Sequence, residues 1–165
     1  MADDQGEGPD RMRQVIADAL RIGRFKEADK VVIPNLPDAV RYRSWKVAVR
    51  EELMGASGRP VEAFTWIRQL DDPAFTYEVL QDSGDFLTLD MKLAAALTAK
   101  ASGEIGRKLT LRKEKEYQDG RLVKGRQMLH MIHDFYKVSE EAGAFSDFQD
   151  LLAVQFKGEA RLRAS

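Results

Sequence analysis

The sequence predicts an all-α fold, a compact multi-helix domain of about seven to eight helices. Apolar residues recur at three- and four-residue steps along most of the chain, and glycine and proline punctuate the intervals between periodic segments. β-Branched residues concentrate in only one short stretch, so a sheet has no material. With 165 residues, 44% of them hydrophobic, the chain suits one domain, and a domain of ~150 residues buries roughly 68–70% of its unfolded surface.

Each element follows from local chemistry. Residues 1–10 combine four carboxylates with glycine and proline and read as a disordered acidic tail. Met12, Val15, Ile16, Leu20 and Ile22 make the stripe of a first helix, with Asp10 as cap and Gly23 as stop. Val31 to Pro37 is β-branched and interrupted by Pro34 and Pro37, which predicts an extended connector, an unpaired candidate strand that buries a few side chains. A helix over 38–54 carries Tyr42, Trp45, Val49 and Leu53 on one face and closes at Gly55. Pro60 opens the next, with Ala63, Phe64, Ile67 and Leu70. Asp72-Pro73 begins a short helix with Phe75, Val79 and Leu80.

From 87 to 101 the chain is rich in Leu and Ala, strong helix formers, and Leu89, Leu93, Ala96 and Leu97 make a narrow stripe flanked by small residues. Gly103 and Gly106 precede a charged helix to Tyr117, in which Arg112 to Glu116 face solvent, and Gln118-Asp119-Gly120 is a turn. A helix over 123–142 carries Met128, Leu129, Ile132, Phe135 and Tyr136 and ends at Gly143. Ser146 and Gln149 form a capping box for a final helix to Phe156, with Phe148, Leu151 and Leu152 facing inward. The organisation is therefore an acidic tail over 1–10, a helical domain over 11–158 and a flexible end over 159–165. The expected core contains Trp45, Trp66, Leu93, Leu97, Phe135 and Leu152.

Composition bounds the function. The chain has no cysteine, which removes disulfides, thiolate metal sites and cysteine nucleophiles together. A net charge of −1 provides no global attraction to nucleic acid or anionic membranes. The amino terminus has no apolar leader segment, and no apolar run approaches the ~20 residues that span a bilayer. A cytoplasmic protein with no membrane partner is expected.

Few residues carry recognisable chemistry. His130 and His133 are the only histidines; no third ligand joins them on one face, and His130 reaches Asp134 at i+4. Gly103-Glu104-Ile105-Gly106 lacks the strand and the Lys-Ser/Thr pair of a phosphate loop. No metal, cofactor, catalytic residue or small-molecule substrate is expected. Gly125-Arg126-Gln127 has two readings: a glycine that packs at a helix start beside an internally paired Arg, or an Arg-Gln pair that binds carboxylate, phosphate or backbone. Between Gly106 and Arg126 eight basic residues stand against three acidic ones, a net of +5. Arg107, Lys108, Arg112, Lys113, Lys124 and Arg126 are the candidate phosphate contacts; an equally valid reading is a solvated charged hairpin whose residues satisfy one another.

The order of motifs carries a resemblance. Tyr42-Arg43-Ser44-Trp45, Ala63-Phe64-Thr65-Trp66-Ile67, Leu89-Asp90-Met91-Lys92-Leu93, Gly103-Glu104, Gly125-Arg126-Gln127-Met128-Leu129 and Asp150-Leu151-Leu152 together resemble the gag-like segment of copia-type LTR retrotransposons, from about Pro34 to Gly158. Asp90, Lys92, Gly103, Glu104, Gly125, Arg126 and Gln127 are the motif positions. The resemblance implies a capsid-like all-α domain that performs no catalysis, self-associates into a homo-oligomer and makes weak, sequence-independent RNA contact through the basic patch. Without cysteine the zinc knuckle of full-length gag is absent, which reads as a gag fragment, a truncated copy or a domesticated descendant. A helical adaptor that binds a partner protein or peptide in a groove is the alternative.

Overall fold

The computed structural model describes residues 7–21 and 26–163. It is all-helical, with no strand among the described residues. Six α-helices are described: α1 (Glu7–Arg21), α2 (Tyr42–Ala56), α3 (Pro60–Arg68), α4 (Leu87–Lys100), α5 (Gly103–Gln118) and α6 (Gly125–Arg163), with single 3₁₀ turns at Gln69–Asp71 and Val79–Gln81.

The core forms where the apolar stripes of α2 to α6 converge. Trp45, Val49 and Leu53 of α2 face Ala63, Trp66 and Ile67 of α3, while Leu89, Leu93 and Leu97 of α4 meet Met128, Leu129 and Ile132 of α6. The α4 to α6 contact is the most extensive in the fold. Gly125 at the start of α6 leaves room for this approach, because the Asp90 carbonyl and the Leu93 side chain stand where a Cβ would lie. Gly103 turns the chain from α4 into α5 with φ +61°, a left-handed conformation that costs glycine little and other residues more.

The connector before α2 is extended, as the paired prolines predict, and forms no ladder. Among the described residues it is bound to the domain by one backbone bond, from the Ala28 N–H to the Ala56 carbonyl at 2.8 Å, and otherwise by side chains. Val31 and Ile33 are buried, Trp45 Nε1 donates to the Pro34 carbonyl at 3.2 Å, and the Tyr136 hydroxyl donates to the Pro37 carbonyl at 2.5 Å. Lys92 Nζ of α4 donates to Glu27 Oε2 at 2.5 Å and to the Ala28 carbonyl at 2.8 Å.

Several sequence expectations are corrected. The six described α-helices come close to the expected seven to eight; two expected elements merge and one is reduced. Asp72-Pro73 starts no α-helix; only the 3₁₀ turn at Val79–Gln81 forms there. Gly143 does not end its helix: α6 continues to Arg163, so no separate helix starts at Ser146 and the expected flexible end is helical through 163. A lone glycine costs a helix about 1 kcal/mol and does not by itself break it. Likewise Gly55 lies within α2, and residues 7–10 of the expected acidic tail begin α1. Residues 1–6, Ile22, Gly23 and residues 164–165 lie outside the described residues.

Of the expected core, Trp45, Trp66, Leu93 and Leu97 are buried. Phe135 is only partly buried and packs at the core's edge. Leu152 is 37% exposed, as the second half of α6 runs past the domain, and Phe64 is exposed as well. The α1 stripe of Met12, Val15 and Ile16 also faces outward.

Trp45 is 4% exposed and stacks on Tyr42, ring centroids 5.9 Å apart. Replacing it with Ala is expected to cost about 3–5 kcal/mol in chemical denaturation, the range for emptying a buried aromatic site. A loss under about 1 kcal/mol contradicts the burial.

Candidate functional site

The polar residues of the motif positions converge at the start of α6. Asp90 lies on the buried side of α4, and its Oδ1 accepts the backbone N–H of Arg126 at 2.7 Å. The first N–H groups of a helix have no partner within it, so a carboxylate of α4 caps α6 across the interface. Asp90 Oδ2 accepts the Ser83 hydroxyl at 2.7 Å. Gln127 completes the cap from within: its Oε1 accepts the Lys124 backbone N–H at 2.9 Å, while its Nε2 donates to the Tyr77 carbonyl at 3.0 Å.

Arg126 is 2% exposed. Its Nη1 donates to the Trp66 carbonyl at 3.0 Å and to Gln69 Oε1 at 2.6 Å, and its Nη2 donates to the Asp82 carbonyl at 2.7 Å. The guanidinium lies over the Trp66 ring, 4.5 Å from its centroid, and Nε has no hydrogen-bond partner among the described residues. One side chain therefore ties α6 to the end of α3, the 3₁₀ turn after it and the loop before α4. Burial pulls the Arg126 guanidinium below its ordinary value, opposed by Asp90 and Asp82. Burial likewise pushes the Asp90 carboxyl up, and the hydrogen bonds from Ser83 and Arg126 oppose that shift.

Gly125 makes the approach of α4 and α6 sterically feasible. A Cβ there would lie 2.6 Å from Leu93 Cβ and closer still to the Asp90 carbonyl oxygen. Of the remaining motif positions, Lys92 holds the connector through Glu27, Gly103 makes the α4 to α5 turn, and exposed Glu104 faces Lys108 at 3.7 Å. The structure thus brings Asp90, Gly125, Arg126 and Gln127 together in one joint and leaves Lys92, Gly103 and Glu104 apart from it.

The basic hairpin does not form one phosphate surface. Arg126 is overturned as a contact, because it is buried and its guanidinium bonds internal acceptors. Lys124 donates to the Gln81 carbonyl at 3.3 Å. Arg112 lies over the Tyr77 ring, 4.7 Å from the centroid, and 3.9 Å from Glu116. Lys113 is partly buried and bonds the Thr98 hydroxyl. Glu116 itself is buried, contrary to a wholly solvated helix face, and accepts Arg121 Nε at 2.6 Å. Arg107, Lys108 and Lys115 remain exposed.

His130 Nδ1 lies 3.6 Å from Asp134 Oδ2, the expected i+4 neighbour. His133 Nδ1 pairs with the Tyr42 hydroxyl, inside an aromatic cluster where Tyr42 stacks on Tyr136 at 4.3 Å. No group of three or more potential metal-ligating residues occurs among the described residues, and no described helix is long and apolar enough to cross a membrane.

Apolar surface is the other feature of the site region. A groove of about 460 Å³ runs between α4 and the end of α5, lined by Met91, Ala94, Ala95, Tyr117, Leu122 and Val123. It continues to Leu87 along the same side of α4. The second half of α6 exposes Val138, Phe148, Leu151, Leu152 and Val154. Ser83, Gln69 and Glu27 escaped the sequence reading, since each acts through a partner distant in the chain. Asp90 carried a legible signal: a carboxylate that shares a helical stripe with buried Ala94 and Leu97. No protein-family model, curated protein or solved structure matches the chain.

Gly125→Ala is expected to destabilise the fold by about 3 kcal/mol, the upper part of the overpacking range. Gly143→Ala, on the same helix with open space around it, should stabilise by about 0.5–1 kcal/mol. Equal effects in denaturant titrations contradict the close approach at Gly125.

Burial lowers the His133 imidazole from 6.5 to about 4. A depressed histidine favours the neutral form in the fold, so its contribution is present above pH 6.5 and is lost as pH falls towards 4. The full loss is about 3 kcal/mol. His133→Gln should remove this part of the acid destabilisation between pH 6.5 and 4, measured as the difference in unfolding free energy from the parent.

Proposed function

We propose that this chain is a gag-like structural protein of the copia retrotransposon type, a non-enzymatic, capsid-type module whose work is to associate with copies of itself in the cytoplasm. The observation that carries the reading is where polar and apolar groups lie. The buried charged and amide groups of the motif positions, Asp90, Arg126 and Gln127, are bonded within the scaffold. Extended apolar surface lies outside on α1, along α4 and on α6. Contiguous exposed apolar surface on a folded domain marks an interaction site.

The motif resemblance supports the same reading from an independent direction, because four of its seven positions meet in one joint. RNA contact in this proposal is weak, salt-sensitive and carried by Arg107, Lys108 and Lys115; Tyr117 is the one aromatic on α5, and Lys108 itself lies over the Phe135 ring, 5.4 Å from the centroid. The adaptor reading draws on the groove beside Met91 and Ala95, whose largely apolar lining suits the apolar face of a partner helix.

Static light scattering across a concentration series, with and without RNA, tests the proposal. The average mass should rise with concentration. A mass fixed at one chain favours the adaptor and overturns self-association. Arg107→Glu combined with Lys115→Glu should abolish any RNA-dependent increase while the helical circular dichroism stays unchanged. An RNA response that survives this variant removes α5 from the RNA surface.

A further inference from the structure

We infer that two copies of this chain pair through the second halves of their α6 helices, running antiparallel about a two-fold axis near residues 150–151. The inference rests on the self-association proposed above and adds the surface and its geometry. From Val138 to Arg163, 26 residues of α6 extend about 39 Å at the usual rise per residue. The described side chains from Val138 onward are exposed except for partly buried Ser139. Gly143 and Gly158 lie within this stretch with open space around them. A lone helix with two internal glycines draws its stability from packing rather than from propensity.

The spacing names the kind of packing. Phe135, Ala142 and Gln149 recur every seven residues, and Val138 and Leu152 fall on the alternate three-four positions. Phe145 and Phe156 continue the same spacing in sequence. That is the a and d pattern of a left-handed coil as far as Phe156, with Gln149 as a polar a position of the kind that sets register and the charged Glu159 at the d position that follows.

Charge selects the occupant and its direction. Residues 139–150 hold Glu140, Glu141, Asp147 and Asp150 without a base, whereas residues 151–163 hold Lys157, Arg161 and Arg163 against Glu159. Antiparallel pairing sets the −4 half of one copy against the +2 half of the other; parallel pairing sets like against like. Steric bulk agrees. The first turns of α6 are enclosed by the domain, with Met128, Leu129 and Ile132 buried. Parallel helices about 8–10 Å apart would drive two such bodies together, whereas antiparallel ones put them at opposite ends.

In this arrangement Gln149 packs beside Leu152 of the second copy, and the two Ala142 residues lie about 26 Å apart along the coil axis. The absence of natural cysteine makes single-cysteine variants of the full chain clean reporters. Leu152→Cys treated with a short bis-maleimide should give a crosslinked dimer, and Gln149→Cys should do the same. Ala142→Cys should remain monomeric on a denaturing gel, with circular dichroism matching the parent in all three. Crosslinking of Ala142→Cys as well demonstrates parallel pairing and overturns the inference. If none of the three crosslinks while light scattering shows association, the α6 interface is wrong and self-association stands. If none crosslinks and the mass stays at one chain, both fall.

Discussion

The fold depends on a carboxylate that caps a helix to which it does not belong. Asp90 is fully buried within α4, a helix otherwise made of leucine and alanine on its inner side, and it accepts the Arg126 N–H at the start of α6. An uncompensated buried carboxylate is costly, so Asp90 is tolerable only with α6 in place, and the first turn of α6 is satisfied only with Asp90 in place. Gly125 makes the geometry available, since any side chain there would meet the α4 backbone. Arg126 extends the same constraint to α3 and the loop before α4. Elements distant in the chain thus become one rigid unit through side-chain to backbone bonds.

That joint also explains why the conspicuous polar residues of this chain are structural. A guanidinium whose Nη atoms bond three internal acceptors has little left to offer a phosphate, and burial disfavours its charge unless those bonds are kept. The net positive hairpin is dispersed in the same way: Arg112 and Arg121 converge on Glu116, while Lys113 and Lys124 bond to other elements. What remains outside includes apolar surface on helices and the exposed bases Arg107, Lys108 and Lys115, and the function proposed above draws on that division.

The aromatic cluster of Tyr42, Trp45, His133 and Tyr136 plays the equivalent role at the other end of the core. The extended connector has no backbone ladder, so the Trp45 and Tyr136 polar atoms bind its carbonyls directly. A proline-interrupted segment can be ordered this way because its carbonyl oxygens remain acceptors where its N–H groups are missing.

The sequence by itself determined the helical class, the stripes of α2 and α4, the burial of Trp45, Trp66, Leu93 and Leu97, and the absence of cysteine chemistry, because periodicity and composition act locally. It did not determine where α6 ends: Gly143 and a Ser-x-x-Gln pattern mark a boundary only as local preferences, and both are weaker than the continuation of a long helix. Nor did it separate the two readings of Arg126, since the acceptors that bury it come from Trp66, Gln69 and Asp82, about 44 to 60 residues away. The tertiary structure alone decided that Phe135 sits at the core's edge and Leu152 outside it. A stripe tells which residues share a face, and only the neighbouring elements decide whether that face is covered.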